Sequence, residues 1–208
     1  MKNKFLQIGK GLIKDDDVSI GYKPGRAVKD LKLVIGDNAA IRRGSVIYLG
    51  TTIGNNLETG HNVVLREENE IGDKFSIWNN STVDYGCKIG DGVKIHCNCY
   101  IAQFSIIEDG AFLAPGVTFA NDMHPGCCYF RECMKGPHIG RGAVLGVNVT
   151  VLPYVKIGAR AFIGAGSVVT RDIPPDSVAY GNPARVVKKI TQLVCTKGFT
   201  DKPYPGSN

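Results

Sequence analysis

Long apolar runs are absent from this sequence of 208 residues, and no segment approaches the roughly 20 consecutive apolar residues that a membrane-spanning helix needs. The amino-terminal segment has Lys4 and Lys10 among its apolar positions and therefore lacks the continuous apolar block of a secretory signal. Dense positive runs are also absent: the formal net charge of +6 comes partly from scattered residues and partly from the stretch with Arg185, Lys188 and Lys189. These absences argue against membrane and nucleic-acid partners and predict a soluble, cytoplasmic protein.

Regular cysteine and histidine spacing is missing as well. The seven cysteines are an odd number, and their positions do not suggest a disulfide framework. One segment holds His124, Cys127, Cys128, Cys133 and His138, but adjacent cysteines and irregular gaps do not match the paired Cys-x₂-Cys spacing of zinc sites. The sequence therefore predicts free thiols and no bound metal.

A repeat of six residues dominates what is present. From Ile35 to Phe119 and again from Ile139 to Val169, twenty of the twenty-one positions spaced by six residues are apolar, with Thr59 as the exception. At 43% hydrophobic residues, chance would supply such a run on the order of once in 10⁵ or 10⁶ trials. Ile-Gly recurs at every third hexad in six of the seven coils, which makes the larger period eighteen residues; the dipeptide begins at Ile35, Ile53, Ile71, Ile89, Ile139 and Ile157.

This period is typical of a solenoid of short strands. Six residues form one strand and a turn, and three such sides close a triangular coil in which one branched aliphatic side chain per side points inward. The apolar positions do not follow the 3.6-residue period of an amphipathic helix. We therefore predict an all-β fold, a parallel β-helix of about seven triangular coils within residues 31–174.

The repeat is interrupted once. Twenty residues separate Phe119 from Ile139 where six were due, so fourteen residues are extra. A loop insertion over residues 121–138 is predicted to project from one corner, and long insertions in compact repeats are commonly functional.

Less regular segments flank the repeat. Residues 1–30 are predicted to form an amino-terminal cap or an incomplete coil. Residues 175–208 are predicted to hold a short capping helix, within the stretch from Pro183 to Leu193, and a mobile tail. A solenoid needs such caps because its open ends expose the core.

The hexads from Ile35 to Val169, the loop after the fifth coil and the segment Gly181-Asn182-Pro183-Ala184-Arg185 together resemble the hexapeptide-repeat acyltransferases. The resemblance covers residues 35 to about 190. It implies a left-handed parallel β-helix, a homotrimer, and acetyl-CoA as co-substrate in the groove between neighbouring subunits.

Two segments carry a narrower resemblance. Ile95-His96-Cys97-Asn98, and Phe119-Ala120-Asn121-Asp122 with Pro125, are similar to segments of enzymes that acetylate nucleotide-linked 3-amino sugars. Those enzymes often have Pro-Arg after the Asn-Asp pair, whereas Gly126 stands here in place of the arginine. The resemblance implies acetyl transfer from acetyl-CoA to the amino group of a nucleotide-linked amino sugar, a precursor of surface polysaccharide. The basic net charge suits two ligands that carry phosphates.

Acetyl transfer from a thioester requires a neutral amine or an activated hydroxyl. His124 is the first candidate for the general base, because imidazole titrates near neutrality and this residue lies on the polar insertion. His96 follows an inward position, should point outward, and is expected within reach of the loop. Asn98, Asn121 and Asp122 are candidates to hold the acceptor or to orient a catalytic histidine, with turn capping as the competing interpretation.

Two groups of residues are candidates for acetyl-CoA binding. Gly146 and Ala165 match positions where the resembled enzymes let the pantetheine arm run along the coils, and their small size permits close approach. The candidates for the CoA phosphates are cations on or beyond the late coils, Lys156, Arg160, Arg171 and Arg185. An ordinary solvated charge is the competing interpretation for each cation.

Three other functions stay open at this point. The loop residue His124 also suits O-acetylation of a sugar or another small hydroxyl compound. A metal-dependent trimer similar to carbonic anhydrases uses the same helix with three histidines between subunits, although the four histidines here lack that spacing. A purely structural β-helix would require only the intact repeat.

Overall fold

The computed structural model describes residues 4–204, and it consists almost entirely of short strands arranged in three sheets. Sheet A contains β1 (Leu6–Ile8), β4 (Leu33–Ile35), β7 (Thr52–Ile53), β10 (Glu70–Ile71), β13 (Lys88–Ile89), β16 (Ile106–Ile107), β19 (His138–Ile139) and β22 (Lys156–Ile157). Sheet B contains β2 (Ile13–Lys14), β5 (Ala40–Ile41), β8 (Glu58–Thr59), β11 (Ser76–Ile77), β14 (Lys94–Ile95), β17 (Phe112–Leu113), β20 (Val144–Leu145), β23 (Phe162–Ile163), β25 (Ser177–Gly181) and β26 (Ala184–Lys189). Sheet C contains β3 (Ser19–Tyr22), β6 (Val46–Tyr48), β9 (Val64–Leu65), β12 (Thr82–Val83), β15 (Tyr100–Ile101), β18 (Thr118–Phe119), β21 (Thr150–Val151) and β24 (Val168–Val169).

The strand register follows the eighteen-residue period. Ile71 pairs in parallel with Ile89, eighteen residues later, and the same ladder continues across the insertion, where Ile107 pairs with Ile139. Three consecutive strands, one from each sheet, therefore make one coil of a parallel β-helix. The strands β1, β2 and β3 pair with β4, β5 and β6, so residues 6–22 form a coil ahead of the seven that the repeat predicts.

Inward side chains of the repeat form the core. Ile77, Ile95 and Leu113 stack in sheet B without solvent exposure. Thr59, the polar exception, is also buried, and its Oγ1 accepts a hydrogen bond from the Arg42 N–H at 2.9 Å. Thr59 therefore accepts a hydrogen bond from the Arg42 N–H, which an aliphatic side chain at this position would leave unpaired.

The turns between the sheets stack into three columns. We call them the A/B corner, the B/C corner and the C/A corner, after the sheets they connect. In the coil that begins at β13 they hold residues 90–93, 96–99 and 102–105 respectively. The insertion interrupts the C/A corner of the next coil, between β18 and β19.

The predicted carboxyl-terminal capping helix is wrong. β25 pairs in parallel with β23, and β26 returns antiparallel to β25 before a single 3₁₀ turn at Ile190–Gln192. Pairing explains the difference, because β25 presents a free hydrogen-bonding edge, and the adjacent β-branched residues Val186 and Val187 suit a strand that satisfies it.

Helical structure is scarce in the described chain. The α-helix α1 (Phe130–Cys133) lies within the insertion, and no helix among residues 4–204 is long and apolar enough to cross a bilayer. The predicted amino-terminal cap and mobile tail include residues 1–3 and 205–208, which lie outside the described residues.

Candidate active site

The insertion is tied to the C/A corner at its base. The Lys135 N–H donates to the Asn121 carbonyl at 2.8 Å, which closes the neck of the loop. Tyr154, from the next coil, donates its hydroxyl to the Cys133 carbonyl at 2.6 Å. α1 contains no buried residue, so the loop is fixed at its ends and exposed between them.

His124 lies on the exposed part of this loop. Its backbone N–H donates to Oδ1 of Asp122 at 2.9 Å, and its carbonyl accepts from the Cys127 N–H at 3.0 Å. Asp122 is therefore a turn residue in this conformation and does not orient the imidazole. Within residues 4–204 the His124 ring has no hydrogen-bond partner, which leaves it accessible to a ligand.

His96 and Asn98 lie at the B/C corner, along the opposite edge of sheet C from the loop. The His96 ring packs on Phe112 with centroids 4.9 Å apart, and Asn98 takes a left-handed backbone conformation with φ of 59°. The expectation that His96 lies within reach of the loop is wrong within a single chain. His96 follows a strand of sheet B, whereas the loop follows a strand of sheet C.

Asn121 joins the loop to a polar network that the sequence pattern did not predict. Its Nδ2 donates to Oε1 of Gln103 at 2.7 Å, and Nε2 of Gln103 donates to Oδ2 of Asp84 at 2.6 Å. Asp84 also accepts from the Tyr100 hydroxyl at 2.8 Å and from Nη1 of Arg66 at 2.9 Å. Burial and the hydrogen bond to Asp84 raise the pKa of Tyr100, so the phenol stays protonated and donates.

The network continues down the C/A corner to a fully buried carboxylate. Glu67 accepts from Nε of Arg26 at 2.6 Å and from Nη2 of Arg66 at 2.9 Å, and its side chain has no solvent exposure. Burial alone would raise the pKa of Glu67, but hydrogen bonds from its own backbone and from the two arginines lower it below the usual value. A row of ion-paired side chains, from Arg26 through Glu67 and Arg66 to Asp84, thus lies along the corner that carries the loop.

The donor-site candidates Gly146 and Ala165 also lie at the B/C corner, above His96. A Cβ added to Gly146 would lie 2.7 Å from the Ala165 backbone nitrogen, so coil stacking alone requires glycine there. Arg185 belongs to the same corner, because it pairs with Tyr180, and Tyr180 lies over Gly164.

The three other predicted phosphate ligands lie elsewhere. Lys156 is on the outer face of sheet A, and its backbone N–H donates to Asp172. Arg160 is at the A/B corner and binds Asp176 through two hydrogen bonds of 2.7 and 2.6 Å. Arg171 follows β24 and is exposed at the C/A corner. The four predicted cations therefore do not form one phosphate site within a chain.

A groove of about 730 Å³ lies along sheet A and the A/B corner, away from both groups of predicted residues. Four of its five charged lining residues form two ion pairs, Lys88 with Glu70 at 3.4 Å and Arg141 with Asp109 at 3.0 Å. The fifth, Glu108, lies 2.7 Å from Nε2 of His138. Among residues 4–204 no group of three or more histidine, cysteine, aspartate or glutamate side chains is arranged to hold a metal ion.

Comparison with known proteins gives the family. The family model for the bacterial transferase hexapeptide (six repeats) matches residues 86–121 and 136–171, the repeat blocks on either side of the loop. A Staphylococcus aureus protein named "putative acetyltransferase" is 44% identical over 138 residues, which are 62% of this chain and 69% of that protein. The chain belongs to the hexapeptide-repeat acyltransferases.

Two solved structures support the fold of this hexapeptide-repeat acyltransferase. A Bacillus cereus "putative acetyltransferase" is 26% identical with a TM-score of 0.56, over 68% of this chain and 79% of that one. A UDP-N-acetylglucosamine acyltransferase from Bacteroides fragilis is 21% identical with a TM-score of 0.71, over 90% of this chain and 74% of that one. The fold is the left-handed parallel β-helix.

Proposed function

We propose that this protein transfers an acetyl group from acetyl-CoA to the amino group of a nucleotide-linked amino sugar, and that its active sites lie between the subunits of a homotrimer. The observation that carries the proposal is the position of the two residue groups on opposite edges of sheet C. The loop with Asn121 and His124 is at the C/A corner, and His96, Gly146 and Ala165 are at the B/C corner.

The outer face of sheet C supports the trimer. From the second coil onward its outward residues carry no formal charge; they are Val46, Val64, Thr82, Tyr100, Thr118, Thr150 and Val168. The outer faces of the other sheets include Glu70, Lys88 and Lys156 in sheet A, and Glu58 and Lys94 in sheet B. When three triangular prisms turn the same face towards a common axis, the B/C corner of each lies beside the C/A corner of the next. Such packing would unite the two groups.

Acetyl-CoA would lie along the B/C corner in this arrangement. The pantetheine arm would pass over the backbone of Gly146 and the small, exposed side chain of Ala165, and Arg185, at the same corner, would bind the phosphates. Arg171 of the adjacent subunit would approach the same corner. Lys156 and Arg160 lie on other faces, and we do not assign them to the donor.

His124 is the proposed general base. As the acceptor nitrogen bonds to the thioester carbonyl carbon, the imidazole takes a proton from that nitrogen. The carbon–sulfur bond then breaks, and the CoA thiolate takes the proton from the imidazolium. The products are the N-acetyl sugar and CoA. O-acetylation is the second candidate, favoured by the accessible His124, and differs only in that a hydroxyl is the nucleophile.

Acceptor identity and the role of His124 can be tested together. We expect thiol release from acetyl-CoA with one member of a panel of UDP- and dTDP-linked 3- and 4-amino sugars, and none with galactosides or serine. The His124→Ala variant should lose about 10²–10⁴-fold in kcat/KM. The matched control is His138→Ala, because His138 is bound to Glu108 on sheet A and should leave turnover near the wild-type value. Turnover with only a galactoside or serine would favour O-acetylation.

A further inference from the structure

The three side chains Asp84, Gln103 and Asn121 form a hydrogen-bonded row at the C/A corner, which we call the amide relay. Gln103 and Asn121 are one eighteen-residue coil apart, and Gln103 lies between the other two side chains, bonded at 2.6 Å to Asp84 and at 2.7 Å to Asn121. The row ends at the first residues of the loop that carries His124.

The chemistry of Asp84 dictates the direction of every bond in the relay. The Asp84 carboxylate, paired with Arg66 at 2.9 Å, can only accept hydrogen bonds. Gln103 must therefore present its NH₂ group to Asp84, which places its carbonyl oxygen towards Asn121. Asn121 must then present its own NH₂ group to Gln103. The amide orientation of Asn121 thus follows from a carboxylate two residues away in the network.

The Asn121 oxygen is left for another partner. No hydrogen bond to Oδ1 of Asn121 occurs within residues 4–204, while its backbone carbonyl holds Lys135 at the neck of the loop. The residue is therefore fixed by its backbone and by its NH₂ group, and it offers one free acceptor three residues before the candidate base His124.

We propose that Asp84 and Gln103 are positioning residues that hold the oxygen of Asn121 towards the acceptor, where it receives a hydrogen bond from a hydroxyl or amino group of the sugar. This inference rests on the proposed function, and it assigns the acceptor class as one with a hydrogen-bond donor next to the reacting group. An acceptor without that donor would leave a desolvated amide oxygen unpaired and would be rejected.

The substitution Asp84→Asn inverts the relay without changing its shape. Arg66 and the Tyr85 N–H both donate to Oδ1 of residue 84, so the asparagine would keep its oxygen there. Its NH₂ group would turn to Gln103 and to the Tyr100 hydroxyl, which would rotate to accept. Gln103 and Asn121 would then flip, and Asn121 would present NH₂ to the acceptor. We expect KM for the acceptor to rise about tenfold or more while KM for acetyl-CoA stays unchanged.

A double substitution should restore the direction. In Asp84→Asn with Gln103→Glu, the glutamate accepts from both residue 84 and Asn121, so Asn121 again presents its oxygen to the acceptor. We expect acceptor KM within about threefold of wild type. The matched control is Tyr100→Phe, which removes the other donor to Oδ2 of Asp84 but leaves the relay intact and should leave acceptor KM unchanged.

A second readout separates this inference from the proposed function. The side-chain amide resonances of Asn121, assigned through Asn121→Asp, should shift in Asp84→Asn and return in the double variant, whether or not an acceptor is turned over. Equal acceptor KM and equal resonances in all three proteins would overturn the relay. The expected resonance pattern without turnover of any acceptor would support the relay and contradict the proposed function.

Discussion

Glu67 has a buried carboxylate at the centre of the ion-pair network at the C/A corner. It joins Arg26 and Arg66, and Arg66 in turn binds Asp84. Arg26 also pairs with Glu68, so neutralising Glu67 would leave each arginine one carboxylate partner but would remove the buried charge that both arginines share. Stability at this corner should therefore depend on the ionisation of Glu67.

We expect Glu67→Gln to lower the free energy of unfolding by about 1–3 kcal/mol at neutral pH, because it weakens two charge-assisted hydrogen bonds to a buried carboxylate. Because the folded protein lowers the pKa of Glu67, the stabilisation is present above the unfolded value of about 4.3 and is lost as pH falls through the folded pKa. The gap between wild type and variant should therefore be widest near pH 7 and should narrow below about pH 4.

Denaturant unfolding across this pH range measures the difference in free energy of unfolding between wild type and Glu67→Gln. Glu70→Gln is the matched control, because Glu70 pairs with Lys88 on the exposed face of sheet A and should have little effect at any pH. A gap that is constant with pH would contradict an ionised Glu67 in the folded protein.

Part of the polar network at the C/A corner could be predicted from sequence. Counting in eighteens places Glu67, Tyr85, Gln103 and Asn121 in one column, so the link between Gln103 and the loop was available from spacing alone. The hydrogen bonds themselves could not be predicted from spacing, because they depend on which side-chain rotamers the stacked turns allow. The role of Asp122 could not be predicted from sequence either, because aspartate is common both in turns and in ligand-binding sites. In the structure Asp122 accepts from the His124 backbone N–H and forms a turn.

At the scale of elements, the β-helix and its loop are separable. Asn121 and Lys135 are hydrogen-bonded across the neck, so a two-residue bridge can replace residues 122–134. α1 contributes no buried side chain to the core.

We expect this excision to change the midpoint of thermal unfolding by only a few degrees, since loop length has a small entropic effect on stability. Acetyl transfer should be abolished because His124 is removed. Circular dichroism and the thiol-release assay check the two halves of the prediction. An excised protein that still transfers acetyl would exclude the loop from the active site.

The repeat and the position of the loop were predictable because both follow from a fixed period that each coil obeys locally. The structure of the carboxyl-terminal capping segment could not be predicted in this way. Residues 184–189 form a strand because β25 offers them an edge, and that partner is supplied by the end of the solenoid and not by local propensity. A helix prediction from a proline and a short polar stretch could not include this non-local pairing.

For the whole molecule, the decisive feature is that sheet C has a candidate residue group along each of its two edges. Sequence periodicity alone could have separated His96 from the loop, since Ala120, at the start of the loop, is 24 residues after His96, which is one and a third coils and not a whole number of coils. It could not supply the neighbouring subunit that reunites them, because that depends on which face is buried in the assembly.

Subunit mixing tests the shared site most directly. His124→Ala removes the base from the loop, and Ala165→Trp blocks the donor corner of a separate chain, so each protein alone should be nearly inactive. If each site combines the loop of one subunit with the B/C corner of the next, every mixed trimer contains one intact site. Random exchange of equal amounts should then restore about a quarter of wild-type activity. Activity that stays at the level of the two separate variants, after exchange is confirmed by mass, would contradict a site built between subunits.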